Sequence, residues 1–428
     1  MRRKIASLFQ KPFVRNVIII ASGTAGAQAI SMVLSPIITR MYGPEAFGIM
    51  GTFTSMTRIL IPIAALSYPI AIVLPKSDQD ARGLIRLSLI ITAIISLITL
   101  IILALFNEQV INIFNLTDIA SFLYLIPLVV IFAGLMQVAE QWLIRTKQFS
   151  INARVTFYQS LITNLSKVGV GFIYPGAAVL VILTAFANGI RAFMMIIFAK
   201  NSNYQVDKKI HTQKYSIKKM MKKYSDFPKY RAPEQFLNAT SNGLPVLMLA
   251  AFFGPASAGF YSIGRTVLSL PTQLIGKSVG DVFYPRIAEA ARNKEDVTAL
   301  IKKATLALAG VGVVPFGLVI LFGPTLFSFV FGSDWIVAGE YARWIALWSF
   351  FGFMNRPSVQ SLPVLNAQKF HLIYTIVMLV IRLGVLIIGY YVYSSDILAV
   401  ALFGALGAIL NFGLITITLK ISRTKSKT

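Results

Sequence analysis

The sequence predicts an all-α integral membrane protein: about twelve transmembrane helices in two pseudo-symmetric six-helix lobes around a central cationic cavity. Three observations predict it. The chain has too little charge for a wet surface, it holds a series of apolar runs long enough to cross a bilayer, and its basic residues keep to alternate loops. Of 428 residues, 56% are hydrophobic and 13% charged, against about 45–50% and about 25% in a soluble domain. That excludes a soluble enzyme, a disordered protein and a fibrous one. Cysteine is absent, which excludes disulfides, thiolate metal sites and a cysteine nucleophile.

A helix needs about 20 apolar residues to cross the hydrocarbon. Twelve stretches qualify: 17–39, 46–74, 84–106, 119–143, 155–174, 177–199, 236–253, 258–283, 304–331, 339–365, 370–393 and 396–419. The seventh is short and interrupted by Gly243 and Pro245. None alternates in polarity as the strands of a membrane barrel do. The first follows Met1-Arg-Arg-Lys4 as a secretory signal would, but its apolar run continues to Ile38, beyond a secretory core of about 7–15 residues. It reads as an uncleaved first helix.

Thirty-one of the 40 basic residues lie at the two termini and in alternate loops, and the opposite loops carry only Arg40. Lys and Arg favour cytoplasmic loops, so both termini are expected in the cytoplasm, with an even number of spans. The formal net charge of +24 is then a topology signal beside anionic headgroups, not a nucleic-acid patch.

The only long polar segment divides the spans six and six. The expected domains are a lobe over 1–205, a basic cytoplasmic linker over 206–235 and a second lobe over 236–428. The linker's Lys208-Lys209, Lys218-Lys219 and Lys222-Lys223 pairs, interleaved with Ile217, Met220, Met221 and Tyr224, fit an amphipathic helix on the membrane surface or a solvated basic linker. Gly43-Pro44-x-x-x-Gly48 precedes the second span and Gly254-Pro255-x-x-x-Gly259 the eighth, and Tyr68-Pro69 and Tyr284-Pro285 close these spans. A repeat of six spans keeps its orientation, and transporters built this way hold substrate between their halves.

Ionisable residues inside spans are expensive and face a cavity or a partner. Arg58, Lys167, Arg191 and Arg382 lie near span centres, and Arg265 lies one turn from the position equivalent to Arg58 in the second half. The acidic residues in spans, Glu140, Asp281 and Glu340, lie near span ends. Ion pairing is therefore expected not to neutralise the central cations, which implies a watery cavity or an anionic ligand. Guanidinium binds phosphate through two parallel hydrogen bonds and keeps its proton. The candidate anion site is Arg58 and Arg265, with Lys167, Arg191 and Arg382 supplying field. Gln28, Gln137, Asn164, Asn188 and Asn242 are candidate sugar contacts or interhelical hydrogen bonds. Gly276-Lys277-Ser278 imitates a phosphate-binding loop but has Pro271 where the first glycine is required. His211 and His371 are far apart and form no metal or catalytic set. No cofactor is expected, and no Ser/His/Asp grouping suggests an enzyme.

Five runs in order carry a family resemblance: Ser35-Pro-Ile-Ile-Thr-Arg-Met-Tyr-Gly-Pro-Glu-Ala-Phe-Gly48, Ile72-Val-Leu-Pro-Lys76, Asp226-Phe-Pro-Lys-Tyr230, Phe253-Gly-Pro-Ala-Ser-Ala-Gly-Phe-Tyr261 and Phe331-Gly-Ser-Asp-Trp-Ile-Val-Ala-Gly-Glu-Tyr-Ala342. The chain resembles the Wzx-type flippases of O-antigen and polysaccharide repeat units, within the multidrug/oligosaccharidyl-lipid/polysaccharide exporter superfamily. The resemblance implies a V-shaped bundle of twelve helices, six per lobe, in the bacterial inner membrane. It implies a substrate of undecaprenyl pyrophosphate carrying a sugar repeat unit, moved to the outer leaflet for O-antigen, capsule or exopolysaccharide synthesis. Polysaccharide polymerase and chain-length proteins are the implied partners. Where many members carry Arg before the tyrosine corresponding to Tyr68, this chain has Ser67. The alternative is a drug/cation antiporter of the same architecture, which needs a central acidic residue that the sequence lacks.

Overall fold

The computed structural model describes residues 12–114, 117–200, 217–272, 277–293 and 295–425. Among them there is no strand. The helices are α1 (Pro12–Leu60), α2 (Asp78–Phe114), α3 (Ile126–Arg145), α4 (Phe149–Gly171), α5 (Ala177–Lys200), α6 (Ile217–Lys223), α7 (Ala232–Phe253), α8 (Pro255–Pro271), α9 (Lys277–Arg292), α10 (Val297–Phe331), α11 (Ile336–Met354), α12 (Arg356–Ser361), α13 (Gln368–Tyr391) and α14 (Asp396–Lys425). The chain divides into two compact units, Met1–Leu247 and Met248–Thr428. Lys208, Lys209 and His211 of the linker, and Asn115 of the Asn115-Leu-Thr117 run, lie outside the described residues.

Each of the twelve apolar stretches overlaps helical segments among the described residues. Among the described residues eight helices are long and apolar enough to cross a membrane, and one of them, Ile19–Ile63, carries parts of two stretches. Three stretches fall below that standard for physical reasons. α4 carries a polar face, α8 has only 17 residues, and α11 holds Glu340 and Arg343. α2 and α13 turn long rows of apolar side chains outward, among them Ile94, Leu97, Ile98 and Ile101 on α2 and Ile373, Ile376 and Val380 on α13, as helices facing lipid do.

The two glycine-proline motifs adopt one conformation. Gly43 has φ 69° and ψ 173°, and Gly254 has φ 89° and ψ 175°. Positive φ at this extended ψ is open to glycine alone, and the following proline suits the first position of the next helix. The tyrosine-proline pairs do not correspond in this way. Tyr68 begins a 3-10 turn over Tyr68–Val73, whereas Tyr284 lies inside α9.

Helices in lipid gain little from hydrophobic exclusion and approach closely where small residues allow it. In the first unit a Cβ on Gly23 would sit 2.6 Å from the Ala153 Cα, so α1 and α4 touch backbone to backbone. In the second, a Cβ on Gly339 of α11 would overlap the Pro324 Cα of α10. Polar bonds pin the ends. Tyr341 Oη and Ser257 Oγ both donate to Asp396 Oδ2, at 2.6 and 2.8 Å, joining α11, α8 and α14.

Arg145, at the end of α3, donates to Asp78 Oδ1 at 2.9 and 3.0 Å and to the carbonyls of Ile72 and Pro75 at 3.1 and 2.7 Å. It therefore fixes the link between α1 and α2, which holds the 3-10 turn over Tyr68–Val73. The visible part of the linker docks nearby. Met220 and Tyr224 are buried against Tyr68, Ile72 and Leu84, and Tyr68 Oη donates to the Met221 carbonyl at 3.3 Å. This is the amphipathic form of the linker over α6, with Lys218, Lys219, Lys222 and Lys223 outward.

A hydrogen bond to a charged group is worth about 1.5–3 kcal/mol, so Arg145→Ala should lower the melting temperature of the purified protein by about 5 °C or more. Arg145→Lys should recover only part, because an ammonium lacks the fork that reaches both carbonyls and the carboxylate. Unchanged melting in Arg145→Ala would remove Arg145 from this role.

Candidate functional site

On α4, Thr156, Gln159, Ser160, Thr163, Asn164 and Lys167 recur three or four residues apart, so they share one face. That face lines a cavity of about 480 Å³ within the first unit. Thr24, Gln28, Ser31 and Arg58 of α1 line it too, as do Thr184 and Arg191 of α5. Two alanines, Ala27 and Ala187, complete the wall, and no acidic residue is among the lining. Five of the residues expected from the sequence are thus brought to one cavity: Arg58, Lys167, Arg191, Gln28 and Asn164.

The wall is cross-linked. Asn164 Nδ2 donates to Ser31 Oγ at 3.2 Å and to the Ser160 carbonyl at 2.8 Å. Ser160 Oγ donates to the Ala27 carbonyl at 2.9 Å, and Gln159 Nε2 to Thr163 Oγ1 at 3.0 Å. Thr184 Oγ1 and Arg191 Nε are buried without a hydrogen-bond partner among the described residues. Such groups cost free energy unless something meets them. Gln159, Thr163, Thr156 and Thr184 were not singled out from the sequence. Their signal was present as the three-and-four spacing, which a search for apolar length passes over.

The three cations differ in their surroundings. Lys167 Nζ is 3.7 Å from Met50 Sδ, and its own carbonyl accepts a hydrogen bond from Tyr42 Oη at 2.6 Å. Arg58 is exposed at the cavity. Arg191 overturns the expectation that ion pairing leaves the central cations alone. Its Nη2 lies 3.3 Å from Glu140 Oε1 and 3.2 Å from Asn152 Oδ1, and Asn152 Nδ2 donates to the same carboxylate at 3.4 Å. Glu140 lies more than a turn inside α3, and α3 packs beside α5. An arginine stem covers the remaining offset in depth.

The other expected residues lie elsewhere. Gln137 Nε2 donates to the Ile61 carbonyl at 3.0 Å, Asn242 is exposed on α7 and donates to the Asn238 carbonyl at 2.8 Å, and Asn188 is half-buried on α5. None of the three lines the cavity. In the second unit Arg382 sits in the corner between two edge-to-face aromatic rings, its guanidinium carbon 3.9 Å from the Trp348 centroid and 3.8 Å from that of Phe403. Its Nε and Nη2 are buried without a hydrogen-bond partner among the described residues. Tyr261 meets Phe403 edge-on at 6.3 Å, and Arg265 follows one turn later on α8. Arg265 and Arg382 therefore belong to a second, aromatic setting.

A model of the family described as polysaccharide biosynthesis protein matches residues 37–340. The chain belongs to that family. It is 21% identical over 348 residues to the succinoglycan biosynthesis transport protein ExoT of Rhizobium meliloti (strain 1021). The match covers 79% of this chain, and the chain spans 66% of that relative's length. Two solved structures share the fold. One is an inward-facing multidrug resistance MATE family transporter of the MOP superfamily, with TM-score 0.71, 14% identity and 94% of each chain covered. The other is the lipid II flippase MurJ in an inward closed conformation, with TM-score 0.69, 16% identity, and 95% of this chain and 90% of that one covered. The fold is that of a multi-pass, all-α membrane protein.

An anion that reached Arg191 would have to compete with Glu140. If the cavity takes inorganic pyrophosphate, Glu140→Gln should tighten its binding to the purified protein about tenfold, for a competing attraction of roughly 1–2 kcal/mol, and Arg191→Gln should weaken it. Titration by calorimetry reads both, and identical affinities in the two variants would show that the added anion does not reach Arg191.

Proposed function

We propose that this chain is a flippase of the bacterial plasma membrane. It moves undecaprenyl-pyrophosphate-linked oligosaccharide from the cytoplasmic to the outer leaflet by alternating access, for O-antigen, capsule or exopolysaccharide synthesis. Both termini face the cytoplasm on this reading. One observation carries it: Arg58, Lys167 and Arg191 line one cavity with hydroxyls and amides and with no carboxylate in its lining. The two guanidinium groups, which keep their protons, attract phosphate, and neutral hydrogen-bonding groups suit sugars. A cationic drug would meet no carboxylate in the lining, so the antiporter reading lacks a binding partner in this cavity. Family membership and the relative in succinoglycan transport support the same reading.

The residues take distinct parts. Arg58 binds pyrophosphate through its fork, and Arg191 joins as the ligand displaces Glu140. Gln28 and Asn164 bond sugar hydroxyls. The polyprenyl tail stays in lipid, which spares the transporter the cost of burying it. The membrane lipids and the lipid-linked oligosaccharide are the partners this chemistry requires, and a polysaccharide polymerase with its chain-length protein consumes the product.

In a strain whose only copy carries Arg58→Ala, at normal protein level, surface glycan should fall at least about tenfold, the loss expected for one bidentate charged contact. The lipid-linked intermediate should accumulate in the cytoplasmic leaflet. Arg58→Lys should retain an intermediate level. Normal surface glycan in Arg58→Ala would end the pyrophosphate role for Arg58. Efflux of a fluorescent cation that depends on this chain would favour the antiporter instead.

A further inference from the structure

α6 is amphipathic, but its apolar side is buried in protein and not offered to lipid. Met220 and, just beyond the helix, Tyr224 are 2% and 8% exposed and pack with Tyr68, Ile72 and Leu84. The side left uncovered is cationic. Lys218, Lys219, Lys222 and Lys223 are exposed, and Lys223 Nζ stands 5.4 Å from the centroid of the Tyr224 ring. Lys218 and Lys222, like Lys219 and Lys223, are four residues apart, where like charges weaken a helix. A helix of seven residues has little stability of its own. Among the described residues Lys218, Lys222 and Lys223 enter no ion pair. The face therefore calls for anions from outside the chain.

Its surroundings say which anions. α6 packs on Ile72, whose carbonyl accepts from Arg145 at the end of α3, so it stands level with the ends of the spans. Met221 on α6, and Val73 and Leu74 at the end of the 3-10 turn, are exposed apolar side chains. A free anion gains nothing from such a rim, whereas a phospholipid sets a charged headgroup over acyl chains. With both termini in the cytoplasm, α6 faces the cytoplasmic leaflet, where anionic lipid lies.

Beneath α6 runs a strained link. Leu66 and Ser67 both have positive φ, 47° and 58°, a region disfavoured for residues with a Cβ. Such residues persist only where their surroundings hold them. Ser67 Oγ is buried without a hydrogen-bond partner among the described residues, so its own side chain does not hold it. Tyr68, next along, is buried and donates to the Met221 carbonyl of α6 at 3.3 Å. Arg58 lies in the last turn of α1, just before this link.

We propose that the lysine face of α6 binds anionic phospholipid, and that bound lipid holds the strained link through the Tyr68 bond. Headgroup phosphates relieve the repulsion between the lysine pairs, which keeps α6 helical and docked. Without them α6 frays and the link over 64–74 loosens, at the end of the helix that carries Arg58. The inference takes only its topology from the flippase reading, and its test does not involve the cavity.

The test places the full-length protein in vesicles of phosphatidylcholine alone or of an equal mixture with phosphatidylglycerol. Amide hydrogen exchange is read over α6 and residues 64–74. In wild type the anionic vesicles should slow exchange in both segments about tenfold, and high salt should remove the effect. Lys218→Gln, Lys219→Gln, Lys222→Gln and Lys223→Gln together should abolish the slowing. Four arginine substitutions at the same positions should keep it, which separates loss of charge from loss of fold. Tyr68→Phe should keep the slowing in α6 and reduce it in the link. Inorganic phosphate added to phosphatidylcholine vesicles should leave exchange unchanged. Equal exchange of wild type in the two vesicles, slowing that survives the glutamine substitutions, or slowing by free phosphate would overturn the lipid site. A link that slows alike in Tyr68→Phe and wild type would overturn the coupling through Tyr68.

Discussion

Three cations sit on helices of a lipid-soluble chain, and each must face something polar. Much of the first unit follows from that requirement. α4 gives one whole face to hydroxyls and amides, α1 and α5 close around it, and the enclosed space holds Arg58, Lys167 and Arg191. The arrangement sacrifices apolar length in α4, which reads as a weaker membrane span for that reason. It also needs tight walls, supplied by the backbone contact at Gly23 and Ala153 and by bonds such as that of Ser160 to the Ala27 carbonyl.

The two units solve the same electrostatic problem differently. In the first, Arg191 is shared between a carboxylate and an amide, so its charge is balanced but its contacts can be exchanged. In the second, Arg382 lies in the corner between two rings, where the quadrupoles of Trp348 and Phe403 meet the guanidinium and leave two nitrogens without hydrogen bonds. The repeat that relates the halves is visible in Gly43 and Gly254, which share a backbone conformation. It does not extend to what the arginines touch.

The helical membrane fold was legible because composition and run length are properties of the chain alone. The family was legible from five short motifs in order, and its model matches most of their span. Local backbone chemistry was legible at the glycine-proline turns. What sequence reading missed falls into two kinds. The polar face of α4 was present as a spacing but hidden beneath a search for apolar length. The Glu140–Arg191 pair and the aromatic corner around Arg382 were not present locally at all. Both join residues far apart in the chain, and their existence depends on which helices become neighbours. Of the neutral candidates, Gln28 and Asn164 share the cavity because α1 and α4 pack together. Gln137 instead donates to the Ile61 carbonyl, in the 3-10 turn that follows α1.

The central claim is that this cavity carries a phosphate-linked glycan across a bilayer. The most direct measurement reconstitutes the purified protein in vesicles that hold undecaprenyl-pyrophosphate oligosaccharide in the inner leaflet and follows its appearance outside with an externally added glycosidase. The account predicts protein-dependent exposure of the glycan that excess inorganic pyrophosphate slows. Exposure at the rate of protein-free vesicles, from protein that is folded and inserted, would contradict it.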